Sequence, residues 1–219
     1  MTSPAASLVN PRTGAATREV LLRAAAREIH VHGFQAASLS RILAETGVTK
    51  GALYYHFPSK LALGYAVLDE CYAPELRRHW VEPLADAGGD ALQTLIGIIR
   101  AAGRGMTEAD ILLGCPVNNL AQEMSPVDEG FRTRIEALFD EWRTATESAL
   151  QCAQENGGLV PGVDIDASAA LIVASLEGCI GMAKNGQSKD ILLTCGQGLI
   201  AYLQSLQNQG NGCKGNNDV

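Results

Sequence analysis

The 219-residue chain is short of aromatics, which make up 5% of it, although 47% of its residues are apolar. Its Leu, Ala and Ile recur at helical spacing, and alternating Val/Thr/Tyr runs are missing, which argues against a sheet protein and for an all-helical one. Its six cysteines, Cys71, Cys115, Cys152, Cys179, Cys195 and Cys213, form neither a CxxC pair nor a dense framework. Disulfide scaffolds and Cys/His zinc modules are therefore not expected, and no charged-then-apolar leader precedes residue 15. The chain reads as cytoplasmic with reduced thiols. It also lacks an uninterrupted apolar run of roughly 18 residues, so no membrane partner is expected.

Catalytic signatures are missing too. No GxSxG, HExxH, GxxxxGK[ST] or strand-borne GxGxxG occurs, and no enzyme activity or cofactor is expected. His30 and His32, two residues apart, point to different sides of a helix and suit its C-terminal end better than a metal. A net charge of −7 looks wrong for a partner of phosphate, yet it is unevenly spread. Residues 1–60 carry Arg12, Arg18, Arg23, Arg27, Arg41, Lys50 and Lys60 against Glu19, Glu28 and Glu45, a basic head of +4 on a body of −11.

Residues 1–14 and 208–219 are rich in small, polar or glycine residues and predict tails without fixed structure. Between them a first helix is expected from about Thr17, carrying Val20, Leu21, Ala24, Ala25 and Ile29 and stopping at Gly33. Ser38 then caps SLSRILAET, Gly47 and Val48 turn the chain, and Thr49 caps TKGALYYHF until Pro58. Ser59 caps a long helix to about Trp80, before Pro83 and the Gly88-Gly89 break, which would bridge head and body. Further helices are expected near 90–104, near 107–124 with a break at Gly114-Cys115-Pro116, and near 126–156 with Ser125 as cap and Pro126 first. In that last helix Phe131, Ile135, Leu138, Phe139 and Trp142 line one face. Two small-residue-rich helices, about 165–185 and 189–207, end the set of nine or ten and suit close packing against a second copy.

The segment from Ser38 to Phe57 has the parts of a DNA reader: a short helix, a glycine turn, and a second helix presenting Thr49, Lys50, Tyr54, Tyr55 and His56. Gly51 and Ala52 keep its start slim, and Ala44, Val48, Leu53 and Phe57 are its expected buried face. The run GFQAASLSRILAETGVTKGALYYHFPSKLALGYAVLD, Gly33 to Asp69, resembles the TetR/AcrR family of transcriptional regulators. That resemblance implies an all-α fold with two parts: a three-helix DNA-binding domain over 15–62 and a larger ligand-binding and dimerisation domain over 63–208. It implies that Thr49, Lys50, Gly51, Tyr54, Tyr55 and His56 lie on the recognition helix, with Ser38 and Lys60 anchoring phosphates. It also implies a homodimer through the last two helices on a palindromic double-stranded operator, most often as a repressor, released by a small-molecule inducer or reactive electrophile.

For the sensing cavity the candidate lining residues are Cys71, Trp80, Ile98, Leu112, Cys115, Asn119, Leu120, Phe139 and Trp142, although apolar stripes at helical spacing are commonly just core. The segment GCPVNNLAQEMS, Gly114 to Ser125, resembles a motif of a family subset. There Cys115 stands at a helix N-cap, where free N–H groups favour a reactive thiolate, while a buried thiol that merely packs is the commoner use of the residue. Asn118 and Asn119 suit either a neutral ligand or backbone capping. The competing class is a helical scaffold that binds proteins through the acidic body and never touches DNA.

Overall fold

The structure is a computed structural model, and it describes residues 14–85, 87 and 90–208. The expected tails beyond those limits, the Gly88-Gly89 break, Arg12 and Cys213 lie outside the described residues. The chain divides into two compact units between Tyr72 and Ala73. No strand occurs among the described residues; Leu159 and Gln207 form one isolated bridge.

The first unit opens with α1 (Gly14–His32), which starts three residues before the expected Thr17 and buries Leu21, Leu22, Ala24, Ala25 and Ile29. Apolar residues three and four apart put this stripe on one face of the helix. Gly33 follows at φ 78°, its N–H on Ile29 O. Next come α2 (Leu39–Thr46), α3 (Lys50–His56) and α4 (Lys60–Val67), each preceded by a Ser or Thr cap. A π turn, Leu68–Tyr72, closes the unit. Phe34, Ile42, Leu53, Phe57, Leu63, Val67 and Leu68 complete its core. Ala44, expected inside, is exposed, and Ile42 fills that role on α2.

The second unit begins with α5 (Ala73–Leu76), a second π turn (Arg77–Val81) and α6 (Glu82–Ala85). Helix therefore runs past the expected end at Trp80 and through Pro83. Each π turn takes in the carbonyl four residues before a proline, Glu70 for Pro74 and His79 for Pro83. Widening the turn there relieves the clash of the proline ring with that carbonyl.

Then follow α7 (Ala91–Gly105), α8 (Glu108–Leu113), α9 (Pro116–Met124), α10 (Glu129–Glu155), α11 (Ile165–Gly186) and α12 (Lys189–Leu206). Ser125 does not cap α10: Val127 N and Asp128 N both return to Met124 O, and Asp128 takes the cap by accepting from Phe131 N at 2.9 Å. The core holds Leu95, Ile96, Leu120, Phe131, Ile135, Trp142 and Leu150, all buried. Helix α11 packs on α10, α8 and α12. By length and composition it is apolar enough to cross a membrane, where counting uninterrupted apolar residues points to no such segment. Its Ala169, Ile172, Leu176 and Ala183 are nonetheless spent on packing within the unit.

Candidate functional site

Three hydroxyl caps set the geometry of the first unit's outer surface. Ser38 Oγ accepts from Arg41 N at 3.4 Å, Thr49 Oγ1 from Ala52 N at 3.2 Å and Ser59 Oγ from Ala62 N at 3.0 Å. Each satisfies a helix-start N–H that would otherwise lack a partner. Between α2 and α3 the chain turns on Gly47 at φ 67°, a left-handed conformation that suits glycine. Leu53 and Phe57 pin α3 inward, so Thr49, Lys50, Gly51, Tyr54 and Tyr55 face outward and Tyr55 is 84% exposed. His56 is half-buried, edge-on to Tyr55 at 5.1 Å.

The basic head is less free than its count suggests. Arg18, Arg23, Arg27 and Arg41 are paired with Glu70, Glu19, Glu45 and Glu28. Glu28 also accepts from Ser38 N at 2.8 Å, and the Arg41 hydrogen bond holds its carboxyl below the usual range. Lys60 points back, its Nζ on Gln35 O at 2.9 Å and over the Phe34 ring. Lys50 lies 5.9 Å from the Tyr54 ring centroid, with no carboxylate partner among the described residues. Gly51 has no atom within 4 Å of where a Cβ would stand, so packing inside the unit gives no reason for glycine there.

A short helix, a left-handed glycine turn and a second helix with a bare, polar, cationic outer face make a helix-turn-helix of the DNA-binding class. Comparison with known proteins agrees. Residues 21–67 match the bacterial regulatory proteins of the tetR family, and residues 91–193 match the tetracyclin repressor-like C-terminal domain. The chain is 30% identical to the transcriptional regulator AcuR of Cereibacter sphaeroides over 75% of its own length and 74% of that protein's. A TetR regulator structure from Chloroflexus aurantiacus is 30% identical with a TM-score of 0.77, covering 89% of this chain and 97% of that one. A cysteine mutant of CifR, complexed with 26 bp double-strand operator DNA, shares the fold at a TM-score of 0.73 and 22% identity, covering 84% of this chain and 95% of that one. The chain belongs to the TetR family of ligand-responsive, DNA-binding transcriptional regulators.

The sensing residues expected from sequence do not line one cavity together. A cavity of about 570 Å³ between α7, α11 and α12 is lined by Ile99, Leu176, Cys179 and Leu192, with Arg100 and Arg104 also on it, and of the expected set only Trp80 reaches it. Cys71 belongs to the first unit, its thiol pushed up by burial. Leu112 is exposed, Leu120 and Trp142 are buried core, and Phe139 and Ile98 are half-buried. Trp142 instead stacks on Trp80, the centroids 5.1 Å apart. Asn119 is used structurally: its Nδ2 donates to Leu113 O at 2.8 Å and its Oδ1 accepts from Lys184 Nζ at 2.7 Å. Periodicity tells which side of a helix is apolar but not which apolar side faces a void.

Cys115 is the N-cap of α9, as expected, with Pro116 first and Asn118 N directed at Sγ over 3.5 Å. Of the two readings, the buried thiol that packs is the one favoured: burial and the neighbouring Glu177 carboxyl push the thiol well above its ordinary range, outweighing the backbone donors. Glu177, on α11, is the residue that sequence reasoning missed. It is the one charged residue between Asp166 and Lys184, a lone acid inside an apolar run. Burial raises its carboxyl above the usual carboxylate range, a shift that the nearby Cys115 thiol and Asn118 side chain only partly offset. It is 8% exposed, and its Oε2 is the buried side-chain polar atom without a hydrogen-bond partner among the described residues.

Proposed function

We propose that this chain is a cytoplasmic homodimeric repressor that grips a palindromic operator through two copies of its first unit and is released by a small molecule or electrophile sensed in the second. The observation that carries this reading is the outer face of α3, where Lys50, Gly51, Tyr54 and Tyr55 are exposed and outside the unit's core, beside the capping Thr49. Lys50 and Tyr54 are suited to base edges or phosphates in a major groove, and bare Gly51 to close approach of the duplex. Ser38, His56 and Lys60 flank that face. Palindromic half-sites roughly 34–36 Å apart require two copies.

Self-association is supported by the outer side of α11 and α12. Leu171 and Met182 are exposed there at 48% and 59%, beside Gly178 and Gly181, around which a helix has open space to approach. A cleft lined by Leu171, Met182, Cys195 and Tyr202 runs along the same face. The apolar cavity under Trp80 supports the sensing of an organic molecule. The scaffold alternative is not favoured, since it leaves the bare α3 face without a purpose.

The test is fluorescence anisotropy on the DNA upstream of the chain's own gene at two salt concentrations, with light scattering for mass. A sequence-selective, salt-sensitive dimer is expected, and Lys50→Ala should reduce the log–log salt slope by about 1. A monomer, or binding indifferent to sequence, would overturn the reading.

A further inference from the structure

The charges on α7 are Arg100 and Arg104, one turn apart on one face, with no acid in the helix. Like charges at that spacing repel and cost helix stability. The second unit spends its other arginines: Arg77 on Glu141, Arg78 on Glu75, Arg132 on Glu129 and Arg143 on Asp140, while Arg134 donates to Gly130 O. Arg100 and Arg104 have no carboxylate partner among the described residues. A basic residue in a last turn ordinarily serves the helix's free carbonyls, but here Lys189 does so, its Nζ donating to Arg104 O at 3.2 Å and Met106 O at 2.8 Å. Both arginines instead line the 570 Å³ cavity under Trp80 while staying exposed, which puts them at its mouth.

We propose that this cavity binds an amphipathic carboxylate, its apolar body inside and its anionic head held by Arg100 and Arg104. This rests on the reading that the second unit senses the inducer, and it names that inducer's chemical class.

The lining suits such a molecule at both ends. Ile99, Leu176, Leu192 and Ile200 receive the apolar body, and the volume lies within the range of small-molecule sites. A planar guanidinium meets a carboxylate through two parallel N–H···O bonds, so two of them a turn apart can hold both oxygens of one head. The head also relieves the repulsion between them. No acid lines the cavity among the described residues, although the body around it is strongly acidic. Apolar walls focus the positive potential toward the mouth. A phosphate head would call for more donors, and no lysine or hydroxyl side chain lines the cavity. A cation would be repelled, and a neutral molecule would leave the two charges unanswered. The cavity lies on the side of α12 that bears Gln197, Ile200 and Gln204, whereas the cleft offered for self-association runs along Cys195, Gly198 and Tyr202. A ligand and a second copy can therefore be held at once.

The experiment titrates decanoate, and 1-decanol as its uncharged counterpart, into the full chain at pH 7 and follows tryptophan emission. Trp80 lines the cavity and stacks on Trp142, the other tryptophan of the chain, so occupancy is read directly. Wild type should bind decanoate saturably. Arg100→Gln with Arg104→Gln should weaken decanoate by about tenfold or more and leave decanol within about twofold of wild type. Gly196→Leu, which grows a side chain into the cavity beside Ile99, should weaken both. No saturable decanoate binding, an arginine variant that binds decanoate like wild type, or a Gly196→Leu protein that keeps it, overturns the proposal. Should the arginine variant lose decanol as well, the cavity itself is disturbed and salt decides on the wild type. Decanoate affinity that falls with added salt while decanol affinity does not supports the arginine anchor, and parallel responses sink it. Operator release is scored separately by anisotropy, so decanoate that fills the cavity and leaves the protein on DNA refutes sensing there without touching the anion site.

Discussion

Arg18 on α1 and Glu70 in the π turn after α4 exchange two parallel hydrogen bonds of 2.6 and 2.5 Å across 52 residues of sequence. Arg18 also lies over the Phe57 ring, 5.1 Å from its centroid, so one guanidinium joins the first helix to the end of α3 and to the turn that closes the unit. The pair is 37% and 42% exposed, which places it among modest surface interactions.

The Arg18 hydrogen bond holds the Glu70 carboxyl below its ordinary range. A carboxyl lowered on folding adds stability at neutral pH and loses it as pH falls through its folded-state value. Glu70→Gln is therefore expected to cost about 0.5–1 kcal/mol at pH 7, and the gap should close in acid. Urea unfolding of both proteins at pH 7 and in acid checks this; an equal gap at both, or none at pH 7, contradicts it.

Gly51 separates folding from DNA binding. With nothing within 4 Å of its would-be Cβ, a side chain there meets only solvent in the free protein. Gly51→Ala should hold or raise stability, by up to about 1 kcal/mol, because alanine suits a helix better. Gly51→Leu should fold as well, yet lower operator affinity by about tenfold or more, ~1.4 kcal/mol. Thermal melts beside anisotropy titrations give both numbers, and a Leu variant that binds like wild type would remove the close-approach role of α3.

Much of this surface was legible in the chain because its signals are local. Ser38, Gly47, Thr49 and Ser59 each act within three or four residues, so caps and turn can be read without knowing the fold. The sensing site was not, since it depends on what meets across helices. Asn119 looks free until Leu113 and Lys184 are seen to use both ends of its amide. Cys115 looks activated by its helix start until its burial, and the carboxyl of Glu177 62 residues later in sequence, are seen to push its thiol up. Even the charge of the head misleads, because four of its arginines are spent on carboxylates.

Gly114 fixes the turn that carries Cys115. Its φ of 69° and ψ of −163° fall in a region that is essentially glycine's alone. A Cβ there would also stand 2.9 Å from Lys184 Cδ. Gly114→Ala should cost about 1–3 kcal/mol, nearly all of it backbone strain, since the lysine stem can move aside. Chemical denaturation reads the loss, and a cost below about 0.5 kcal/mol would mean that the turn relaxes to another conformation.

Glu177 should leave its own mark on the pH dependence of stability. Burial raises its carboxyl above the ordinary value, so the folded state holds a proton that the unfolded chain gives up more readily. The sign is opposite to that for Glu70: the contribution is complete below the unfolded-state value and is lost as pH climbs through the folded-state one. Glu177→Gln, which cannot ionise, avoids that loss and should gain on the wild type steadily from acid toward neutral and mildly basic pH. Melting both proteins across that range tests it. A difference that stays flat would mean that the carboxyl is solvated in solution, and the unpaired Oε2 would then have found water that relieves it.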